Sequence, residues 1–227
     1  MRSDPNYDEY RNQWEALYQH QNYDAGLTGY FLRKSHIWSE QNFDHNVHFS
    51  KVLEVGAGTC EHIKHVRHSF DEYLITDLHP QMSSAKLASK YDGGGKIHFS
   101  QEDANKLSFE NNSFDRVIAA HVLEHLYRPC DVMREWVRVL KPGGVMTLVL
   151  PCDPGLLWRL GRYAVARKKF IKAGVEYDYW QAREHVNPIN NLVSFIRYYF
   201  PGVEEKWLPC RAPLIDINLF YIVHVRK

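Results

Sequence analysis

Within AAHVLEHL (119–126), the residues His121-Val-Leu-Glu124-His125 bring two imidazoles and a carboxylate into one short stretch. Two histidines four apart can hold a zinc ion if they share one face of a helix, with the glutamate activating a water for hydrolysis. A second group of residues points to different chemistry. Glu54-Val-Gly56-Ala-Gly58 is a glycine-rich loop, Asp77 follows 19 residues after Gly58, and Glu102-Asp103 lies further on. Glycines at a strand-to-helix turn let backbone come close to a bound nucleotide. A carboxylate at the end of the next strand suits the two hydroxyls of a ribose.

The elements around these residues decide between the two chemistries. KVLEVGAG (51–58), EYLITDL (72–78), KIHFSQED (96–103), FDRVIAAHV (114–122) and GGVMTLVLP (143–151) are short apolar runs bounded by Gly, Asp, Pro or Asn. Between them CEHIKHVRHSF, PQMSSAKLASKY and PCDVMREWVRVL read as helices, with Pro142-Gly143-Gly144 as the turn after the last. Strands alternating with helices predict a parallel sheet covered on both faces. After an interruption at 153–189 come a helix, NNLVSFIRYYF, and two strand-like runs, EEKWLPC and INLFYIVHVRK, close enough to pair as an antiparallel hairpin. In this frame His121 ends a buried strand. The two histidines then cannot share a helix face, which excludes the hydrolytic zinc centre.

VLEVGAG, ITDL, QEDANKLSF, SFDRVIAAHVLEHL and LKPGG, in that order over residues 50–152, resemble the class I S-adenosylmethionine-dependent methyltransferases of the type 11 kind. The resemblance implies a Rossmann-like, seven-stranded, mostly parallel sheet with an antiparallel last strand, and S-adenosyl-L-methionine as cofactor. It implies that Gly56 and Gly58 approach the methionine part, Asp77 holds the ribose, and Asp103 with Ala104 meets the adenine. Glu54, Ala57, Leu78, Ala120 and His121 complete the implied cofactor set. One departure is Cys60, where such loops often carry a third glycine. A dinucleotide oxidoreductase would need glycine at position 61, and Glu61 there would repel a pyrophosphate.

Some members of this family bind a divalent ion through E-x-x-E-H at the fourth strand. Here His121 replaces the first acid, which weakens binding of hard ions, so no metal site is expected. His121, His125 and His185 are instead candidate bases for methyl transfer to a hydroxyl, since a histidine near neutral pKa suits proton removal.

The chain is 227 residues long with a net charge of +1, and is 44% hydrophobic and 24% charged. These values exclude a disordered chain and a molecule-wide field for nucleic acid. There is no signal-peptide pattern, no apolar stretch of membrane-spanning length and no C-x-x-C pair among four cysteines, so a cytoplasmic setting is expected. Residues 1–50, rich in Tyr and Trp, form an N-terminal helical cap on Tyr10, Trp14, Leu17 and Tyr18, either structural or a lid over a small-molecule site. Residues 51–227 form the methyltransferase domain, with a substrate-shaping insertion at 153–190.

Residues 154–175 carry six basic side chains and no acid, interleaved with Leu, Trp, Tyr and Phe. On a helical wheel most basic residues oppose the Leu156–Leu160–Ala164–Ile171 side, although Arg167 intrudes on it. Such a segment suits peripheral membrane contact through 156–172, a phosphate-bearing or lipid-linked substrate, or a solvated helix face. The expected reaction is O-methylation of a small molecule or a sugar or glycan precursor. The alternatives are a quinone or aromatic natural-product acceptor, and a cofactor-binding protein without catalysis.

Overall fold

The computed structural model describes residues 26–78 and 95–227. The cap helix expected on Tyr10, Trp14, Leu17 and Tyr18 and the helix expected over 80–91 lie outside these residues.

The β-branched and leucine runs become strands β1 (His48–Val55), β2 (Ser69–Asp77), β3 (Ile97–Gln101), β4 (Phe114–Ala120) and β5 (Leu140–Pro151). They are joined by β6 (Glu204–Leu208) and β7 (Phe220–Arg226) in one seven-stranded sheet of order β3-β2-β1-β4-β5-β7-β6. The first five run parallel, and β7 is antiparallel to both of its neighbours. The expected mostly parallel sheet and the closing hairpin are both present.

Strand side chains alternate between two apolar layers. Leu53, Val117, Ala119, Met146 and Leu148 face α2 (Pro129–Val139) and α6 (Ile189–Tyr199). Helix α2 has Pro at its first position and buries Val132, Met133, Trp136 and Val139, spaced to give one apolar stripe. Val52, Tyr73, Ile75 and Ile118 form the opposite layer.

Helix α1 (Gly26–Ser39) lies against β5 and β7 and buries Leu32, Ser35, His36 and Ser39. Glu40 follows it, fully buried and gripped by Arg116 of β4 through two hydrogen bonds of 2.6 and 3.0 Å. His62 reaches the same carboxylate at 2.9 Å, and the guanidinium carbon of Arg116 stands 4.0 Å from the centre of the Phe43 ring. Burial alone would raise the Glu40 carboxyl. The Arg116 charge and the His62 hydrogen bond instead hold it well below the ordinary range.

Two local expectations are corrected. CEHIKHVRHSF is not a helix: only His62–His65 forms one 3-10 turn, and Ser69 already belongs to β2. His62 is drawn inward to Glu40 and, at 3.0 Å, to His36, and Val66 is extended, so the helix cannot propagate. Pro142-Gly143-Gly144 is not a turn before the strand but a bulge inside it. Between the pairs Phe114↔Leu140 and Arg116↔Val145, β5 spends five residues where β4 spends two. The insertion is helical: α3 (Leu156–Gly161), a π turn (Arg162–Ala166), α4 (Arg167–Lys172) and α5 (Tyr177–Glu184).

Candidate active site

At the carboxyl end of β1 the chain turns sharply through Gly56 and Gly58, both left-handed (φ +65° and +52°). A Cβ on Gly56 would lie 2.6 Å from Val122 Cγ2, so this loop packs directly on the segment after β4. At Gly58 no atom of the described residues lies within 4 Å of that position. The Ala57 N–H donates to the Thr76 carbonyl (3.0 Å) and the Gly58 N–H to Asp77 Oδ2 (2.9 Å). The acid at the end of β2 and the glycine loop are therefore one unit, an arrangement that the spacing alone does not show. Cys60 is also left-handed (φ +57°), a conformation glycine adopts at less cost, and burial pushes its thiol up to about 12.

The other expected cofactor residues sit along the same sheet edge in unequal roles. Leu78 is 53% exposed. Asp103 Oδ1 accepts the Asn105 N–H and side-chain amide at 2.8 and 2.7 Å, which makes it the head of an Asx turn. The Ala104 carbonyl accepts the Trp136 indole N–H at 3.0 Å. Ala120 ends β4. Glu54 is buried, and its carboxylate accepts the Tyr73 hydroxyl at 2.7 Å, tying β1 to β2.

HVLEH does not form a helix. β4 stops at Ala120, His121 is left-handed (φ +60°), and Leu123–His125 is one 3-10 turn. Asn187 pins that turn, its side-chain amide donating to the carbonyls of Leu123 (3.0 Å) and Leu126 (2.5 Å). Glu124 is 2% exposed, with Oε1 at 3.8 Å from His121 Nδ1 and 3.9 Å from His125 Nε2. Its Oε2 has no hydrogen-bond partner among the described residues. Among the described residues no three His, Cys, Asp or Glu side chains converge as a metal donor set.

His121 Nε2 lies 3.0 Å from the Ser35 hydroxyl of α1, and His125 Nδ1 donates to the Glu184 carbonyl at 2.9 Å. His185 Nδ1 stands 2.9 Å from Asp153 Oδ2, close but off the ring N–H axis, and its ring meets His125 edge-on at 4.9 Å. All three candidate histidines are thus brought together, with the two acids Glu124 and Asp153 between them.

Burial sets the protonation of this group. Desolvation, with the nearby His185 charge, pulls His121 and His125 down to about 3. The near-neutral pKa expected of a base at His121 is therefore corrected. Desolvation instead raises Glu124 to about 7. Burial alone would raise Asp153 too, but His185, Arg162 and Gln181 hold it below its ordinary value.

His121, Glu124, His125 and His185 form one end of a cavity of about 300 Å³. Its walls are Leu27, Phe31 and Leu32 of α1, Leu157, Trp158, Val165 and Phe170 of the insertion, and Leu219 and Phe220 beside β7. Arg162 and Gln181 add polar groups near Asp153.

A family model described as a methyltransferase domain matches residues 53–148. The ubiquinone/menaquinone biosynthesis C-methyltransferase UbiE of Azotobacter vinelandii is 33% identical over 100 residues, 42% of this chain and 40% of that protein. A highly reducing polyketide synthase, verA of Penicillium polonicum, is 33% identical over 112 residues, 44% of this chain and 4% of that protein. The chain thus spans less than half the length of the curated relatives it matches. Among solved structures, the [4+2]-cyclase SpnF superposes with a TM-score of 0.65 at 15% identity, over 100% of this chain and 98% of that one. The N-methyltransferase NodS from Bradyrhizobium japonicum, solved with S-adenosylhomocysteine, gives 0.63 at 14%, over 96% and 97%. That a cyclase shares the fold shows that architecture alone does not name the reaction. Strand order, glycine loop and matched segment agree: residues 53–148 are similar to a methyltransferase domain, and the sheet that carries them has the fold of the solved methyltransferase NodS.

Proposed function

We propose that the protein transfers a methyl group from S-adenosyl-L-methionine to an apolar, ring-bearing small molecule. The observation that carries this reading is the cavity, apolar along its walls and closed at one end by Glu124, His125 and His185 beside the end of β4. An aromatic or quinone-type acceptor fits those walls better than a sugar, which would leave its hydroxyls facing Leu, Phe and Trp side chains. The relatives in quinone and polyketide biosynthesis support that preference over the glycan precursor.

The residues present fit the cofactor. Among the described residues nothing fills the space a Cβ on Gly58 would take, Asp77 stands at the end of β2, and half-exposed Leu78 offers an apolar face at that edge. Gly56 and Gly58 would take the methionine part, Asp77 the ribose, and Asp103 with Ala104 the adenine. When bound, the cofactor would supply an electrophilic methyl group, its sulfonium sulfur keeping the electron pair of the broken carbon–sulfur bond as S-adenosylhomocysteine leaves. The protein's own work is to orient the acceptor and remove its proton. The acceptor O–H or activated C–H gives its proton to the Glu124 carboxylate as the new bond to carbon forms. With a pKa of about 7, this carboxylate is present in quantity near neutral pH and still basic enough to take a proton. His185, oriented by Asp153, positions the acceptor's polar end. Helix α1 acts as a lid, since it supplies one wall, and 153–190 shape the acceptor site.

The test pairs two measurements. S-Adenosylhomocysteine raises the melting temperature and NAD does not. Labelled methyl passes to alkylated phenols or quinols but not to nucleotide-linked sugars. Transfer to sugars alone overturns the acceptor class, and an equal shift with NAD overturns the cofactor.

A further inference from the structure

The segment that walls the cavity is apolar on its outer side as well. Leu157, Trp158 and Val165 face the cavity, while Leu156, Leu160, Tyr163 and Ile171 are 46–57% exposed. Leu156, Leu160 and Tyr163 follow at helical spacing. The π turn at Arg162–Ala166 then shifts the register, so Arg167 turns aside to Asp178 (2.7 Å) instead of interrupting the outer stripe. Arg159, Lys168 and Lys172 are exposed on the same segment, which carries no acid.

A helix merely covering a sheet turns its apolar side inward and presents polar residues to water. Here the exposed positions are large aliphatic and aromatic groups, flanked along the segment by the cations Arg159, Lys168 and Lys172. Exposed Leu214 and Ile217 extend the patch, held beside α3 because the Leu156 N–H donates to Asp216 at 2.9 Å.

We propose that this face, Leu156 to Lys172, docks on the surface of an anionic lipid bilayer. The four large side chains enter the headgroup boundary, and the basic groups on their flexible stems reach lipid phosphates. Charge complementarity selects this occupant. Nucleic acid would need more cations than a chain of net charge +1 supplies, and it offers nothing to the aliphatic groups. No helix among the described residues is long and apolar enough to cross a membrane, so the contact is peripheral. The docking is independent of the reaction. Its use, delivery of a membrane-dissolved acceptor to the cavity behind this segment, rests on the apolar-acceptor reading.

The experiment is vesicle flotation of the full chain with phosphatidylcholine alone and with added phosphatidylglycerol, at low and high salt. The parent floats with the anionic vesicles and is released by salt. Lys168→Gln with Lys172→Gln lowers partitioning roughly fivefold for each residue, about 25-fold together. Leu160→Gln with Ile171→Gln abolishes flotation while the melting temperature and its shift with S-adenosylhomocysteine stay as in the parent, which shows an intact fold. A parent that stays in solution with anionic vesicles overturns the proposal, as does equal binding to neutral vesicles or binding that survives Leu160→Gln with Ile171→Gln. A dimer in sedimentation velocity that those two substitutions dissolve assigns the face to a second copy and overturns it too. No arm reads methyl transfer, so a failed acceptor assignment and a failed docking surface are told apart.

Discussion

Replacing Glu124 by glutamine tests the centre of the site on stability and rate together. The carboxyl is 2% exposed, one of its oxygens has no hydrogen-bond partner among the described residues, and burial raises it from 4.5 to about 7. In the unfolded chain it titrates near its ordinary value. Below about pH 4.5 both states hold the proton, and the protein has the full stability this group allows. As pH rises from 4.5 to about 7 the unfolded chain releases the proton while the folded chain keeps it, so stability falls. Above about 7 the loss is complete. A shift of roughly 2.5 units at 1.36 kcal/mol per unit gives about 3 kcal/mol, a large share of the roughly 5–15 kcal/mol that holds a typical domain together. Glutamine cannot ionise, so Glu124→Gln lacks this decline. Urea unfolding at pH 5 and pH 8, without cofactor, should show the stability difference between variant and parent moving by about 2.5 kcal/mol in the variant's favour, since about 0.8 kcal/mol of the loss already lies below pH 5. All other titrating groups cancel in that difference. The parent's turnover should rise with pH through about 7 as the carboxylate forms, and the variant should be slower by about 10²–10⁴-fold with cofactor affinity kept. Parallel stability curves would refute the buried, protonated carboxyl. An unchanged rate would remove Glu124 from proton transfer.

Asp77→Ala should weaken cofactor binding by about 1–3 kcal/mol in calorimetry, because a ribose diol and the Gly58 amide both lose a charged acceptor. Equal affinity would leave Asp77 only a loop brace. Arg116→Ala should destabilise the fold by about 3–5 kcal/mol in chemical denaturation by stranding the buried Glu40 charge, and Arg116→Met with Glu40→Gln should recover much of that loss. Gly56→Ala should lower stability through both its left-handed backbone and the 2.6 Å approach to Val122, and Val122→Ala should relieve only the second part.

The strands were legible because Val, Ile and Leu runs stop at Gly, Asp and Pro, and buried parallel strands need little more than that. The glycine loop was legible because a left-handed turn demands residues of that type. The helix expected at 60–70 failed for a reason its own residues do not contain. His62 is held by Glu40, 22 residues away, and that tertiary tie overrides local periodicity. Glu124 lay in plain view inside HVLEH, yet its protonation follows from burial, which five letters do not encode. Asp153 read as an insertion boundary, and only the return of the chain at His185 makes it part of the site. Ser35 is 86 residues from the imidazole it contacts, a pairing that no window of sequence contains.

The grip of Arg116 on Glu40 also bears on the order in which the chain assembles. The two residues are 76 apart, and the arginine is presented only when β4 lies between β1 and β5. Until then Glu40 has only the His62 ring, and no guanidinium, to replace its water. Closing so long a loop is entropically costly and is rewarded only at closure. Helix α1 therefore docks after the central strands have paired, and the cavity acquires that wall only on a nearly finished sheet.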